Sequence, residues 1–200
     1  MLMGTRRRGD ELETAIYQVT YQLLATNNGT ALTFSQVAKA AHTSRTVLYR
    51  YWESPFDLVL ATLTHYRQQD PQSMQLEHID QGSLRADLIY VGTSFAQAAT
   101  TGVSQHFRQL FSLAIDEQDQ RQLAKILSLS TTANLTLMQQ VVENARRRHE
   151  LLRTPPQTTL LAMFNQIRYV TMIGGTIPGE IEITRLVDDL ILPAMQQLGR

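Results

Sequence analysis

Apolar residues return every three or four positions along most of this chain, with polar residues between them. Leu12, Ala15, Ile16, Val19 and Leu23 form one such series, which predicts an amphipathic helix over about 10–28. Asn27-Asn28-Gly29 supplies its stop, because Asn and Gly tolerate the left-handed cap conformation. Thr33-Phe34-Ser35-Gln36 has capping-box form and opens a short helix to about Ala41, burying Val37, Ala38 and Ala41. Ser44 caps the next, over about 45–51. Ser54-Pro55-Phe56-Asp57 begins a fourth: Ser as cap, Pro at the first helical position, Asp at the positive end.

The helical pattern continues at about 84–101, 104–115, 119–149, 156–173 and 183–198. DPQSMQLEHIDQGS is the one long polar connector, and GGTIPGE (174–180) reads as a loop. The last series is Ile183, Leu186, Val187, Leu190, Ile191, Ala194 and Met195, and Pro193 within it predicts a kink. No strand alternation competes. The expected fold is all-α, with about nine helices. A three-helix helix-turn-helix domain occupies 1–66, with a basic arm at 1–9, and a larger helical domain occupies 67–200.

Composition narrows the function. A chain of 200 residues can bury a sizeable core, and 43% hydrophobic against 18% charged residues marks it as globular. Formal net charge is zero, so any surface for nucleic acid must be local. Lys39 and Lys125 are the only lysines, so Arg carries most of the positive charge, and Arg suits bidentate contact with phosphate and guanine. Cysteine is absent, which excludes disulfides and thiolate chemistry. The first ten residues lack the apolar core of a signal peptide, and no apolar run approaches ~18 residues. A cytoplasmic protein with no membrane partner is expected.

Residues 43–52, TSRTVLYRYW, hold the candidate chemistry. On a helical wheel Val47, Leu48, Tyr51 and Trp52 fall on one side, and Arg45, Thr46, Tyr49 and Arg50 on the other. Tyr51 and Trp52 are expected mainly to pack the helix onto its neighbours. A two-turn helix, a tight joint at His42-Thr43 and this second helix make a helix-turn-helix, whose second member reads the major groove. Arg45 can donate two hydrogen bonds to guanine, and Thr46 can meet a thymine methyl or a polar base edge. Ser44, Tyr49 and Tyr51 offer hydroxyls to phosphates, with Arg50 beside them on the outer face. Thr33 and Ser35, at the start of the preceding helix, complete the DNA-binding candidates of the pair. Arg6, Arg7 and Arg8 form a basic arm suited to a minor groove or a phosphate row.

The stretch FSQVAKAAHTSRTVLYRYWESPFDLVLATL resembles the DNA-binding segment of TetR-type transcriptional regulators. The likeness rests on Val37, Ala38, Ser44, Leu48, Tyr49, Trp52 and Leu58 at fixed spacings, and extends over about residues 10–65. It implies a repressor that binds a pseudo-palindromic operator of double-stranded DNA as a homodimer. It also implies a variable helical domain that holds a small-molecule effector and dimerises through its last two helices. Three departures stand out. The usual Gly-Val joint is His42-Thr43, and Pro55 replaces a frequent phosphate-binding Lys. Within 1–66 the cations Arg6, Arg7, Arg8, Lys39, Arg45 and Arg50 barely outnumber the anions Asp10, Glu11, Glu13, Glu53 and Asp57.

Effector candidates are the aromatic and flexible residues of the later helices: Tyr90, Phe95, His106, Phe107, Phe111, Met138 and Phe164, with Met163 and Tyr169 as possible neighbours. Arg146-Arg147-Arg148 reads as cations at a helix C-terminus, and Asp116, Glu117 and Asp119 as a solvated helix junction. No His pair has metal spacing, and neither a Gly-rich phosphate loop nor a serine nucleophile elbow occurs, so no catalytic residue, metal or cofactor is expected. The competing reading is an all-helical ligand-binding or adaptor protein without sequence-specific DNA binding.

Overall fold

A computed structural model of the chain describes residues 3–26, 31–69, 76, 78–99 and 106–199, with backbone alone for 3–10, 107 and 108. The described residues are helical and carry no strand. The elements are α1 (Met3–Thr26), α2 (Phe34–Ala40), α3 (Arg45–Tyr49), α4 (Pro55–Gln69), α5 (Leu84–Ala98), α6 (Phe107–Leu113), α7 (Glu117–Arg147) and α8 (Gln157–Met172). α9 (Glu180–Leu186) then runs through a π-helical turn (Val187–Ile191) into α10 (Leu192–Leu198) as one rod. The predicted stop at Asn27-Asn28-Gly29 and most of the polar connector lie outside the described residues.

Two compact units emerge: residues 1–73 with 102–124, and 74–101 with 125–200. α6 and the first two turns of α7 group with the N-terminal helices. The boundary between the units falls inside α7.

In the first unit α1 packs on α2 and α4, α2 on α3, and α4 on α6. Ile16, Val37, Leu48, Phe56, Leu58 and Val59 are fully buried at the centre. In the second, α5 and α8 pack against one another and against the α9–α10 rod. Gly92 permits that closeness: a Cβ there would lie 2.9 Å from Ile183 Cγ2 and 3.0 Å from Met163 Sδ.

The predicted kink at Pro193 takes a specific form. Proline lacks an N–H and its ring collides with the carbonyl four residues back. The helix widens by a π turn just ahead of it, and the Leu192 N–H reaches back to the Val187 carbonyl.

The arginine triplet at the end of α7 does more than balance a helix dipole. Arg148 donates to Asp87 at 2.7 Å, to Glu150 at 2.6 Å and to Asp80. Asp87 is wholly buried in the first turn of α5 and also accepts the Gln81 N–H at 2.6 Å. Glu150 in turn accepts the Leu84 N–H, one of the donors that α5 leaves open at its start. Removing one side of such a pair strands the buried charge. Replacing Arg148 with Met is therefore expected to lower unfolding free energy by about 3 kcal/mol, read by urea denaturation. A change within experimental error would show that Asp87 finds another partner.

Candidate nucleic-acid interface

The helix pair is built from caps. Thr33 Oγ1 receives the Gln36 N–H at 3.3 Å, and Gln36 Oε1 receives the Thr33 N–H at 2.8 Å. This is the predicted capping box, and it commits the Thr33 hydroxyl to the helix start. Ser35 is exposed one residue inside. At the other end the Thr43 N–H reaches the Ala38 carbonyl at 2.9 Å and the His42 N–H faces that of Lys39 at 3.4 Å. That is a Schellman ending, and His42 holds its left-handed position with φ of 51°. The strain anticipated at this joint thus sits on one residue. His149 plays the same part after α7, with φ of 61° and the Glu150 N–H on Ala145 O.

Ser44 caps α3 by accepting the Val47 N–H at 3.3 Å. The helix spans five residues, two fewer than the pattern predicts, with Arg50 as its C-cap. Leu48 and Trp52 point into the first unit, at 0% and 6% exposure. Arg45, Thr46, Tyr49 and Arg50 are all exposed, as the wheel predicts. Tyr49 is not simply solvated. Its ring meets Phe34 edge to face at 4.7 Å, and the Arg45 guanidinium lies 5.9 Å from its centroid. Arg45 is thereby laid along the outer face next to the Tyr49 hydroxyl, 3.5 Å away.

Tyr51 departs from expectation. It is not packed away between helices: it is 45% exposed, with its ring against Trp52 at 5.4 Å. The helix has already ended at Tyr49, so the wheel no longer governs its direction. Arg6, Arg7 and Arg8 also differ from a free arm. Helix α1 begins at Met3 and carries their backbone, and their side chains lie outside the described residues.

Sequence reasoning missed how the start of α4 is held. Pro55 opens α4, and Ser54 Oγ accepts the Asp57 N–H at 3.1 Å while donating to Asp119 Oδ1 at 3.2 Å. Gln118 donates to Glu53 at 2.8 Å and Gln122 to Asp57 at 3.1 Å. The first turns of α7 are thus bonded to the α4 cap. Asp116 is a cap whose carboxylate takes the Asp119 N–H at 2.8 Å, but Asp119 is not solvated. It is 5% exposed, and burial together with Asp116 raises its carboxyl above the ordinary range. Glutamines at 118 and 122 match Glu53 and Asp57 only once the fold is known.

The effector candidates are divided between the two units. Phe95, Met138, Phe164 and Tyr90 belong to the core of the second unit, where Phe95 meets Phe164 edge to face at 4.9 Å. His106 and Phe111 belong to the first. His106 is buried against Tyr21 at 5.0 Å, with Nδ1 3.1 Å from Gln109 Oε1, and Gln109 donates to the Leu24 carbonyl. The Phe107 side chain lies outside the described residues. Sequence reasoning also passed over Arg168, although it is the one charged residue in 157–173. It is half-buried between Ser130 and Phe95.

Two measurements follow from these local geometries. A β-branched residue fits the left-handed joint worse than His, and Gly fits it without cost. His42→Val is expected to lower stability by about 1 kcal/mol and His42→Gly to leave it equal or higher, by chemical denaturation; the reverse order would contradict the strained joint. Burial pushes the His106 imidazole below its ordinary 6.5, against the opposing bond to Gln109. The folded state keeps it neutral while the unfolded chain takes up a proton, so stability is lost as pH falls below about 6.5. The denaturation midpoint is expected to drop between about pH 7.5 and about pH 5.5, less steeply in His106→Gln. Identical slopes would mean that His106 titrates freely when folded.

No family model matches the chain. It is 25% identical over 185 residues to an uncharacterized HTH-type transcriptional regulator of Mycobacterium bovis, covering 92% of this chain and 87% of that one. A regulator of the same description from Mycobacterium tuberculosis aligns with the same figures. Over 82 residues the chain is 33% identical to the DNA-binding transcriptional repressor TetR of Mycobacteroides abscessus, covering 41% of each. The chain is thus similar along most of its length to helix-turn-helix transcriptional regulators, and over 82 residues to a TetR repressor.

Proposed function

We propose that the chain binds a pseudo-palindromic operator as a homodimer, acts as a cytoplasmic repressor, and is released by a small-molecule effector. One observation carries the DNA reading: Arg45, Thr46, Tyr49 and Arg50 stand outward together while Leu48 and Trp52 anchor their helix from below. In a homodimer two such faces lie about 34 Å apart, one turn of duplex. Arg45 reads guanine, Thr46 reads a neighbouring base edge, and Ser44, Tyr49, Arg50 and Tyr51 hold phosphates, with Arg6, Arg7, Arg8, Thr33 and Ser35 alongside. Residues 1–66 serve as the DNA-binding domain and 67–200 as the effector and dimer domain.

Dimerisation is supported by the outer side of α8, the loop after it and the start of α9. Tyr169, Ile173, Ile177 and Ile181 are exposed by 60%, 73%, 47% and 66%. Large apolar side chains grouped this way on a soluble surface favour a partner, and a second copy supplies the same patch. Among the described residues no helix is long and apolar enough to cross a membrane. The adaptor reading keeps some support from Pro55 and from the near balance of charge over 1–66.

Selection of duplexes from a random pool tests the proposal. Two inverted half-sites should emerge. Arg45→Ala should relax one base position in each, at a cost of about 1–3 kcal/mol, and Tyr49→Phe should weaken all sequences alike. Ile173→Glu should halve the sedimenting mass and abolish operator binding. An adaptor would enrich nothing, and a mass unchanged by Ile173→Glu would rule out this dimer face.

A further inference from the structure

Among the described residues, the second unit holds a cation that no acid meets. Arg168, on α8, donates to Asn165 Oδ1 at 3.2 Å and to Ser130 Oγ at 3.3 Å, and among the described residues no carboxylate pairs with it. Its guanidinium carbon lies 5.9 Å from the centre of the Phe95 ring. Burial alone pushes the group below its usual value. Desolvation of a charge is costly unless it is paired, and Arg168 is half-buried.

A second, independent oddity lies on the same face of α7. Asn134 is one turn beyond Ser130 and 1% exposed, and neither atom of its amide has a hydrogen-bond partner among the described residues. Buried amides are almost always satisfied, by protein, water or ligand. Thr171, three residues past Arg168 on α8, also buries a hydroxyl without a partner. One cation flanked by neutral polar groups suits a monoanion, and the aromatic pair Phe95–Phe164 beside it suits an apolar body.

We propose that Arg168, Ser130 and Asn134 form the polar end of a site for a small monocarboxylate whose apolar remainder lies against Phe95. The inference rests on the reading of this unit as the holder of an effector, and it names that effector's chemical class. The carboxylate takes the guanidinium as its counter-ion and the Asn134 amide as a donor. A neutral analogue leaves the guanidinium as it was, so charge decides between them.

The test uses the full chain without DNA. Thermal unfolding is followed against phenylacetate and octanoate, their matched amides phenylacetamide and octanamide, and inorganic phosphate. The acids should raise the midpoint saturably, and the amides and phosphate should not. Arg168→Gln should weaken the acid response at least about tenfold, and Arg168→Lys less. If Arg168→Gln fails to fold, Ser130→Ala carries the same comparison and should weaken the acids alone. The site is overturned if neither acid acts, if an amide or phosphate acts as well as its acid, or if Arg168→Gln responds normally. Release of the selected duplex is measured separately. Amides that release it sink the carboxylate and spare the effector reading. Acids that bind without releasing it do the opposite.

Discussion

The anchoring of a five-residue helix by Leu48 is the interaction on which the proposed interface depends. A helix as short as Arg45–Tyr49 does not persist in water, because nucleation is unfavourable and few bonds follow it. Its stability comes from packing. Leu48 is wholly buried, Trp52 nearly so, and Ser44 closes the first turn. The same packing fixes which residues face out. Tyr49 completes the arrangement, because its ring rests on Phe34 of α2 while its hydroxyl and Arg45 remain on the surface. Loss of the Leu48 side chain would cost about 2–5 kcal/mol and would release the orientation of the outer residues with it.

Two arginines show how the second unit treats charge. Arg148 meets Asp80, Asp87 and Glu150, and its network closes the start of α5 onto the end of α7. Arg168 meets a hydroxyl and an amide oxygen. The first arrangement is complete in itself and acts as structure. The second rests on neutral partners and an aromatic ring, with no carboxylate among the described residues. That difference in satisfaction, rather than any difference in residue type, is what favours Arg168 over Arg148 as the cation of the proposed carboxylate site.

The fold was legible where a local rule governs it. The Thr33–Gln36 box, the Ser44 cap, the Pro55 start and the Ile183–Met195 series each depend on residues a few positions apart, and each forms. The outward set at 45, 46, 49 and 50 followed from helical periodicity. Tyr51 did not, because the helix ends before it. Asp119, Gln118 and Gln122 gain their roles from Ser54, Glu53 and Asp57, about 65 residues away, and no local pattern connects them. The effector candidates were chosen as aromatics, yet His106 and Phe95 fall in different units. The proposed carboxylate site rests on the lone Arg168 in an otherwise uncharged helix, which a search for apolar lining passes over.

Side-chain oxidation by hydroxyl radicals, with and without the selected duplex, tests the central claim most directly, because tyrosines report their own exposure. Tyr49 is 54% exposed and Tyr169 60% in the single chain. Addition of duplex should slow oxidation of Tyr49 and leave Tyr169 unchanged. Unchanged oxidation at Tyr49 with bound duplex would mean that DNA lies elsewhere, and that the outward face of α3 is not what reads it.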